Sequence, residues 1–510
     1  MVAVEFILIA AVLLYLLYKW STQSYDTFTQ RGLPHKKPLP LIGNAWHFLQ
    51  NKQSIHKIML NLYRVTKQHK IYGFYNFREP FFIVQDPELV KMIGVKDFES
   101  FANHQPIGNL ENDPLMSGML TVMKDQRWKE MRNTVSPIFT GAKMRSMFTL
   151  MNKCFAETMK HLHSKAVEET GNSCDIELKD CFARLSNDLI ATTAFGLKVN
   201  SYVDKDNQFF RIGMSFNKLR ARQAIKFMLF NMAPKLCSLL GLQLFDKSQN
   251  EYFLRLVVDA MKYRETHNIV RPDMIHMLME AKKESAQHWT NEELVAQCFI
   301  FFFAAFENNA NLLCTTCYEL MDSPHIQERL YEEICETKKE LNGKTLDYDV
   351  LQRMKYLDMV VSETLRKWPL GALTDRSCGK DYTVRDEDGK VVVVLKPGDR
   401  IWFHTIGLHR DEEYFEHSDV FNPERFSEEN KHKIKPFTYL PFGVGPRICI
   451  GNRYALMQAK AMLYYLLLDF KIKRSEKTCK NLMDDIRGFQ IAPKSGFWFK
   501  LERRSVSTNL

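Results

Sequence analysis

The stretch from Pro441 to Gly451, PFGVGPRICIG, places a single cysteine, Cys449, among glycines and beside Arg447. Glycines lack a Cβ, so they let a backbone approach a flat ligand and adopt turns with positive φ. Backbone N–H groups in such a turn can point at the sulfur and lower its basicity. Arg447 can meet a carboxylate through a charge-assisted hydrogen bond. These features suit a thiolate that ligates haem iron, and the alternative is a buried structural cysteine in a Gly/Pro turn.

The stretch resembles the signature of the cytochrome P-450 superfamily, Phe-x-x-Gly-x-x-x-Cys-x-Gly, and the resemblance extends from about Gly32 to the end of the chain. It implies that Cys449 is the axial ligand of a haem b iron, where the thiolate donates electron density and favours O–O cleavage. The resemblance is greatest to insect members of the clan that also contains vertebrate drug-metabolising enzymes. Four other residues of the stretch are assigned to the cofactor: Phe442, Gly443, Arg447 and Gly451.

Two further segments contain residues that the resemblance assigns to the haem propionates. Trp128 and Arg132 stand four residues apart, so on a helix they share one face. Arg376 lies downstream, at a position where the family has another propionate-binding arginine. His104 stands where some relatives have an arginine, and the charge of an imidazole would depend on pH. The alternative for each is a solvated residue on a helix or loop surface.

Glu363 and Arg366 form the only Glu-x-x-Arg in the chain, and their spacing puts carboxylate and guanidinium on one helix face. As an isolated surface ion pair they would contribute little to stability. The resemblance implies instead that Glu363, Arg366 and Arg425, from Pro423-Glu424-Arg425-Phe426, form a buried network that holds the cysteine loop.

A long helix is predicted from Thr290 to Ser323, because Thr290 and Glu293 form a capping box and Pro324 follows the end. At 1.5 Å per residue it would be about 50 Å long. It corresponds to the helix that crosses the distal face of the haem in the family.

The predicted long helix departs from the family pattern Ala/Gly-Gly-x-Asp/Glu-Thr, because this chain reads Ala304-Ala305-Phe306-Glu307-Asn308. We assign Glu307 and Asn308 to proton delivery. A hydroxyl donates, accepts and rotates, whereas an amide has two donors and a separate acceptor. Asn308 can therefore orient a water but relays a proton less readily than threonine.

The predicted distal pocket is aromatic and mostly uncharged, which suits an apolar substrate. Consecutive helical residues point in different directions, so some phenylalanines of the long helix must face the core and others the pocket. The segments expected to contribute lining residues are Phe299–Phe306, Asn103–Met119, Leu370–Thr374 and Phe489–Gln490.

The whole chain has 510 residues, 45% of them apolar with 36 Phe, and no linker after residue 50 or internal repeat. We therefore predict a mostly α fold with small β-sheets, the cytochrome P-450 fold, over residues 44–510. A β-hairpin is predicted from Val391–Leu395 and Ile401–Phe403.

The chain has a formal charge of +10 but no long run of Lys and Arg. This pattern argues against nucleic-acid binding and favours contact with a membrane surface or an acidic protein. The 11 cysteines have no disulfide spacing, so a reducing compartment is expected, and Cys314-x-x-Cys317 is assigned to core packing.

The N-terminus contains an apolar run, and a helix from Val2 to Trp20 would be about 28 Å long, close to the thickness of an endoplasmic reticulum bilayer. No small-x-small cleavage site follows it. Basic residues follow the run and Glu5 precedes it, so the positive-inside rule puts the rest of the chain in the cytosol. We divide the chain into an anchor, 1–20, a basic and proline-rich hinge, 21–43, and the catalytic domain. A second apolar surface, Phe227–Phe245, is a candidate membrane contact, with core burial as the alternative.

These expectations describe a monooxygenase of the endoplasmic reticulum that acts on an apolar small molecule. The resemblance implies electrons from NADPH through NADPH-cytochrome P-450 reductase, with cytochrome b5 as an additional donor. The alternatives are a haem-thiolate isomerase or dehydratase of hydroperoxides, for which Asn308 argues, and a non-catalytic haem protein that binds a ligand. Five basic residues near the cysteine loop are expected to face the reductase: Lys124, Arg127, Lys129, Arg453 and Lys460.

Overall fold

The computed structural model describes residues 2–106, 110, 113–217, 226, 229–230, 234–244, 246–284, 288–386 and 388–504. Helices dominate the described chain. They are α1 (Val2–Thr22), α2 (Thr27–Gln30), α3 (Trp46–Leu49), α4 (Ile55–Thr66), α5 (Pro87–Lys91), α6 (Pro114–Ser117), α7 (Asp125–Val135), α8 (Gly141–Glu169), α9 (Leu178–Thr193), α10 (Gln208–Asn217), α11 (Pro234–Leu239), α12 (Lys247–His267), α13 (Met274–Glu284), α14 (Asn291–Asp322), α15 (Pro324–Leu341), α16 (Tyr348–Arg353), α17 (Lys355–Lys367), α18 (Thr405–His409), α19 (Asn452–Asp469) and α20 (Leu482–Asp485).

The described strands form three small sheets beside the helices. They are β1 (Ile71–Asn76), β2 (Glu79–Val84), β3 (Ser173–Glu177), β4 (Thr374–Ser377), β5 (Tyr382–Arg385), β6 (Val391–Leu395), β7 (Arg400–Phe403), β8 (Phe470–Lys473) and β9 (Trp498–Arg503). The four-stranded sheet has the order β1-β2-β7-β4, the three-stranded sheet β3-β9-β8, and β5 pairs with β6. The predicted fold class, mostly α with small sheets, is confirmed.

The predicted hairpin of Val391–Leu395 with Ile401–Phe403 is wrong. β6 pairs with β5, whereas β7 lies between β2 and β4 in the larger sheet. Both edges of β7 are therefore already hydrogen-bonded, and the turn through Gly398 (φ 90°) carries the chain from one sheet to the other. Local alternation and turn residues predict strands correctly here, but they do not determine which strand becomes the partner.

Helix α14 is the long helix that the sequence predicts. Thr290 caps it: its hydroxyl accepts from the Glu293 N–H at 3.2 Å, while the Glu293 carboxylate accepts from the Thr290 N–H at 3.0 Å. Most of α14 is buried, and it packs against α9, α12, α17 and α19. Cys314 and Cys317 are both buried in this helix, as expected for core packing.

The N-terminal helix α1 is apolar and almost entirely exposed, in contrast to α14, the other described helix long and apolar enough to cross a membrane. The chain rejoins the folded domain soon after α1 ends. Phe28 and Leu33 are buried in a core with the sheet residues, and Arg31 forms an ion pair with Asp399. Part of the segment assigned to the hinge therefore packs against the sheets.

The anchor is expected to be separable from the cofactor site. Deleting residues 2–20 should weaken membrane association and leave haem binding intact, because α1 contributes little to the buried core. Membrane sedimentation and the ferrous–CO spectrum measure the two properties. Deleting residues 2–33 is the matched control, because it also removes Phe28 and Leu33 and should destabilise the domain. A secreted or N-terminally cleaved mature form would contradict the cytosolic orientation.

The candidate membrane contact Phe227–Phe245 lies partly outside the described residues. Within it the structure describes 229–230 and 234–244. Helix α11 ends at Leu239, and three leucines near it are exposed: Leu236, Leu239 and Leu240. The structure thus shows exposed apolar side chains here, and contact with lipid stays a prediction.

Candidate functional site

The cysteine loop is shaped by two glycines that no other residue could replace without strain. Gly443 has φ 81° and Gly445 has φ 70°, in the left-handed region. A Cβ on Gly445 would also collide with the carbonyl oxygen of Gly94. The loop closes when the Cys449 N–H donates to the Phe442 carbonyl at 2.9 Å. This closed loop leaves the Cys449 side chain exposed.

The protein around Cys449 acts on the thiol in two directions. The protein packed around the sulfur shields it from part of the solvent, and this desolvation raises the pKa of the Cys449 thiol. The Gly451 N–H and the positive charge of Arg132 both lower the pKa, although they do not cancel the effect of burial. A cation bound directly to the sulfur would favour the thiolate far more strongly than these groups do. The site therefore suits a thiolate held by a metal rather than a free nucleophilic thiolate.

Three guanidinium groups, those of Arg132, Arg376 and Arg447, lie close to one another near the cysteine loop. Burial lowers the pKa of Arg132, and it lowers the pKa of Arg376 to about 10. Burial and then repulsion from Arg376 lower the pKa of Arg447 to about 9. The carboxylates of Asp375 and Asp125 oppose this effect but do not offset it.

The cluster of arginines fits a ligand with carboxylates. The Arg376 Nε is buried and has no hydrogen-bond partner among the described residues, and a buried donor without a partner is costly. A haem b carries two propionates, which would supply both the acceptor and the missing negative charge. The residues present therefore fit the cofactor that the resemblance implies.

Arg447 and Trp128 lie together, with the guanidinium carbon 3.9 Å from the ring centroid. Arg447 also donates to the Ala102 carbonyl at 2.8 Å, the Leu120 carbonyl at 3.2 Å and the Met123 carbonyl at 3.0 Å. Most of its donors are thus used within the protein. Arg447 ties the cysteine loop to the segment before α7, which the sequence motif did not indicate.

Arg376 and His104 meet at Asp375. Arg376 donates to the Val444 carbonyl at 2.7 Å, which joins β4 to the cysteine loop. The Asp375 carboxylate is 3.0 Å from the His104 Nδ1 and accepts from the Gln105 N–H at 2.7 Å. His104 therefore lies at the edge of the arginine cluster, with one ring nitrogen held by a carboxylate.

Glu363, Arg366 and Arg425 come together in the structure. Arg366 donates to both carboxylate oxygens of Glu363, at 2.7 and 2.8 Å, and both side chains are fully buried. The Arg425 Nε lies 3.4 Å from the same carboxylate. The i,i+3 spacing on α17 makes this bidentate geometry possible.

His409 connects this network to the cysteine loop, and the sequence motifs did not reveal it. Its carbonyl accepts from Arg366 at 2.8 Å, and its Nδ1 lies 3.1 Å from the Arg366 carbonyl. Its Nε2 accepts from the Leu440 N–H at 2.6 Å. Burial lowers the pKa of His409 to about 3, so the ring stays neutral and can accept this hydrogen bond. Leu440 directly precedes the cysteine loop.

The side chains of helix α14 differ in exposure from one side of the helix to the other. Of its phenylalanines, four are buried and one, Phe303, is 39% exposed. Ala304 and Asn308 are also exposed, although the helix lies in the middle of the protein. The one-turn spacing of Ala304 and Asn308 places them on one side of the helix, and the Asn308 Nδ2 donates to the Ala304 carbonyl at 2.9 Å. This exposed side of α14 is where the sequence predicts the distal pocket.

Glu307 does not share the environment of Asn308. It is 8% exposed and forms an ion pair with Lys179, the second residue of α9. Lys179 also donates to Asn311, one turn further along α14. Sequence reasoning missed Lys179 because 128 positions separate it from Glu307 and no motif surrounds it.

The five basic residues that are expected to face the reductase differ in their exposure and in their ion pairs. Lys124 and Arg453 are exposed, whereas Arg127 pairs with Glu293 and Lys129 pairs with Glu99. The prediction is wrong for Lys460. Its side chain is 3% exposed and pairs with Asp358 at 2.9 Å, because α19 turns this residue towards α17.

Comparison with known proteins identifies the relatives of this chain. The family model described as cytochrome P-450 matches residues 33–498. The chain is 55% identical to cytochrome P-450 9b2 of Drosophila melanogaster, over 99% of this chain and 100% of the relative. It is 45% identical to the probable cytochrome P-450 9f2 of the same species, over 98% of this chain and 99% of the relative. Cytochrome P-450 9e2 of Blattella germanica is 38% identical, over 99% of this chain and 97% of the relative.

Proposed function

The chain belongs to the cytochrome P-450 family of haem-thiolate monooxygenases, and on that premise we propose that it oxidises an apolar small molecule at the endoplasmic reticulum. Its electrons would come from NADPH through NADPH-cytochrome P-450 reductase, with cytochrome b5 as a second donor. The observation that carries the proposal is the accessible Cys449 beside three arginines, of which Arg376 and Arg447 are buried and Arg132 is half-buried. This arrangement suits an iron ligand on one side and the carboxylates of a macrocycle on the other.

The residues that would hold the haem divide into three groups. Cys449 would ligate the iron, and Phe442, Gly443 and Gly451 shape the loop on its side. Arg132 and Arg376 would bind the propionates, with Trp128 and Arg447 beside them. When bound, the haem supplies the iron at which O2 is reduced and an oxygen atom is transferred.

The distal residues would control water and protons. Asn308 uses one N–H for the Ala304 carbonyl, so its carbonyl oxygen and second N–H are left to orient a water in the pocket. Lys179 holds the carboxylate of Glu307 at the side of α14. To pass a proton to the pocket, the Glu307 carboxylate would first exchange its contact with Lys179 for water, then take up a proton from solvent, and finally release that proton to the pocket.

The exposed α1 and the insect relatives support the proposed location. Helix α1 is long enough to cross a bilayer, and a cytosolic catalytic domain would meet its reductase at the membrane surface. Lys124 and Arg453 are exposed cations that suit an acidic flavoprotein, and such an encounter would slow as salt rises.

Substitutions of Glu307 and Asn308 test the proposed chemistry. In a reconstituted system with reductase, Glu307→Gln should lower product formation roughly 10- to 100-fold, at or below the low end of what a positioned proton donor contributes. Asn308→Thr should raise the product formed per NADPH consumed and reduce released peroxide, because a hydroxyl relays a proton more readily than an amide. NADPH consumption, peroxide and product are measured together.

Glu319→Gln is the matched control for Glu307→Gln. Glu319 lies three turns further along α14 and has a comparable buried ion pair, with Lys367 at 2.9 Å. Its substitution should cost stability and leave the product per NADPH unchanged. If both glutamine variants lose product to the same extent, Glu307 contributes packing rather than protons.

The second candidate function is an isomerase or dehydratase of hydroperoxides. The observation in its favour is Asn308 in place of the family's threonine. Such an enzyme should turn over a lipid hydroperoxide without reductase, with little effect of Glu307→Gln and equal or lower activity for Asn308→Thr. A protein that only binds a ligand should show neither activity.

A further inference from the structure

Gln297 is a buried polar side chain of α14 that the proposed chemistry does not use. It is 2% exposed and lies among apolar residues. Its Nε2 donates to the Gly118 carbonyl at 2.7 Å and to the Glu293 carbonyl at 2.8 Å, while its Oε1 accepts from the Leu120 N–H at 3.2 Å. The side-chain amide therefore uses both of its donors and its acceptor. Two of these three hydrogen bonds join it to the turn formed by residues 118–123.

The 118–123 turn lies directly on α14. A Cβ on Gly118 would be 2.9 Å from the Cβ of Ala296, closer than side chains approach without a shift. The missing side chain at Gly118 therefore allows the backbone to come within reach of Gln297. The same turn follows α6, which Asp113 caps by accepting from the Met116 N–H at 3.3 Å.

The opposite side of the turn is held by the cysteine loop. Arg447 donates to the carbonyls of Leu120 and Met123 at 3.2 and 3.0 Å. Leu120 is thus bonded through its N–H to α14 and through its carbonyl to the residue two positions before Cys449. Because Gln297 lies two turns before Ala304, the turn spans from the cysteine loop to the helix that borders the distal pocket.

We propose that Gln297 is a positioning residue for substrate specificity, which holds the 118–123 turn as one side wall of the distal pocket. This inference rests on the proposed function. Arg447 keeps the haem end of the turn in place, while Gln297 sets how closely the other end approaches α14. Without Gln297 the buried Gly118 carbonyl and Leu120 N–H lose their partners, and they regain hydrogen bonds only if the turn moves towards water. The wall then opens and admits larger ligands.

The test compares two buried glutamines that each hold a backbone segment. Gln297→Met removes the amide at nearly constant volume. Gln327→Met is the matched control: Gln327 is 1% exposed, donates to the Leu320 and Ile472 carbonyls at 3.0 Å each and accepts from the Ile472 N–H at 2.8 Å. It joins α15 to β8 and not to the pocket. Binding of imidazole and of the much larger clotrimazole to the holoenzyme is measured from the shift of the Soret band.

The quantity that decides the test is the ratio of the dissociation constants for imidazole and clotrimazole. Gln297→Met should change the ratio in favour of clotrimazole by roughly fivefold or more, with the ferrous–CO band retained near its usual wavelength. Gln327→Met should lower the thermal midpoint to a similar extent and leave the ratio unchanged. A Gln297→Met protein with the parental ratio would overturn the proposal, as would an equal change of the ratio in both variants.

A second variant keeps the test decisive if Gln297→Met does not fold. Gly118→Ala pushes the same turn away from Ala296 while the glutamine stays, so it should shift the ratio in the same direction. An unchanged ratio in Gly118→Ala would overturn the proposal. If the parent protein itself lacks the thiolate CO band, the proposed function fails first and the specificity inference falls with it.

Discussion

Replacing Cys449 with serine is expected to abolish the ferrous–CO absorption band at about 450 nm, the band expected of a thiolate-ligated haem. Serine keeps the size of the side chain but removes the thiolate, and the closed loop offers no second sulfur. Cys449 is the exposed cysteine of the loop, whereas the other cysteines are buried or half-buried. The measurement is the reduced, CO-bound difference spectrum of the purified variant, and oxygenation should be lost with the band.

Cys314→Ser and Cys317→Ser are the controls for this prediction. Both residues are fully buried in the core, whereas Cys449 is exposed, so neither is accessible to a bound cofactor. Their spectra should match that of the parent protein. A Cys449→Ser protein that kept the band would contradict the assignment of the iron ligand.

Replacing Arg366 with leucine is expected to destabilise the domain and to disturb the thiolate ligation. The change leaves Glu363 as a buried charge with a weaker partner, and breaking a buried pair in this way costs about 3–5 kcal/mol. It also removes the hydrogen bond to the His409 carbonyl, and His409 in turn holds Leu440 before the cysteine loop. Denaturant unfolding and the CO spectrum should change together.

Arg145→Leu is the matched control, because Arg145 also makes a bidentate ion pair with a carboxylate, that of Asp349, at 2.8 Å. This pair lies on the surface, where solvent screens the charges and the contribution to stability is small. Its variant should unfold and bind CO like the parent. Equal effects of the two variants would mean that Arg366 has no special connection to the cysteine loop.

The cysteine loop and the Glu363 pair could be predicted because their chemistry lies in short segments. Gly443, Cys449 and Arg366 occur in motifs whose spacing already restricts the geometry. The hinge was less predictable: Phe28 and Leu33 join the core because the sheet offers them a buried face, and local composition contains no such information.

Long-range partners were the residues that sequence reasoning missed. Lys179 for Glu307, His409 for the Glu363 network and Gln297 for the 118–123 turn are each defined by packing between distant segments. The error at Lys460 has the same origin, because proximity to the cysteine loop in sequence does not determine which side of α19 a residue occupies. The hairpin error arose because β7 found partners on both edges elsewhere.

The pair of Glu307 and Asn308 shows why adjacent residues need not act alike. On a helix, consecutive side chains point about 100° apart. Lys179 therefore holds Glu307 at one side of α14, while Asn308 is exposed on the pocket side. The motif identified both residues, and only the fold shows that they have different partners, Lys179 for Glu307 and the Ala304 carbonyl for Asn308.

The most direct test of the central claim is the fate of isotopically labelled O2 in the reconstituted enzyme. The full chain, loaded with haem and supplied with reductase and NADPH, would be screened against a mixture of apolar compounds under labelled O2. A monooxygenase should place one labelled atom in each product and consume NADPH in proportion. Product that forms from a lipid hydroperoxide without NADPH, and that carries no label from O2, would contradict the account and assign the chain to the isomerases.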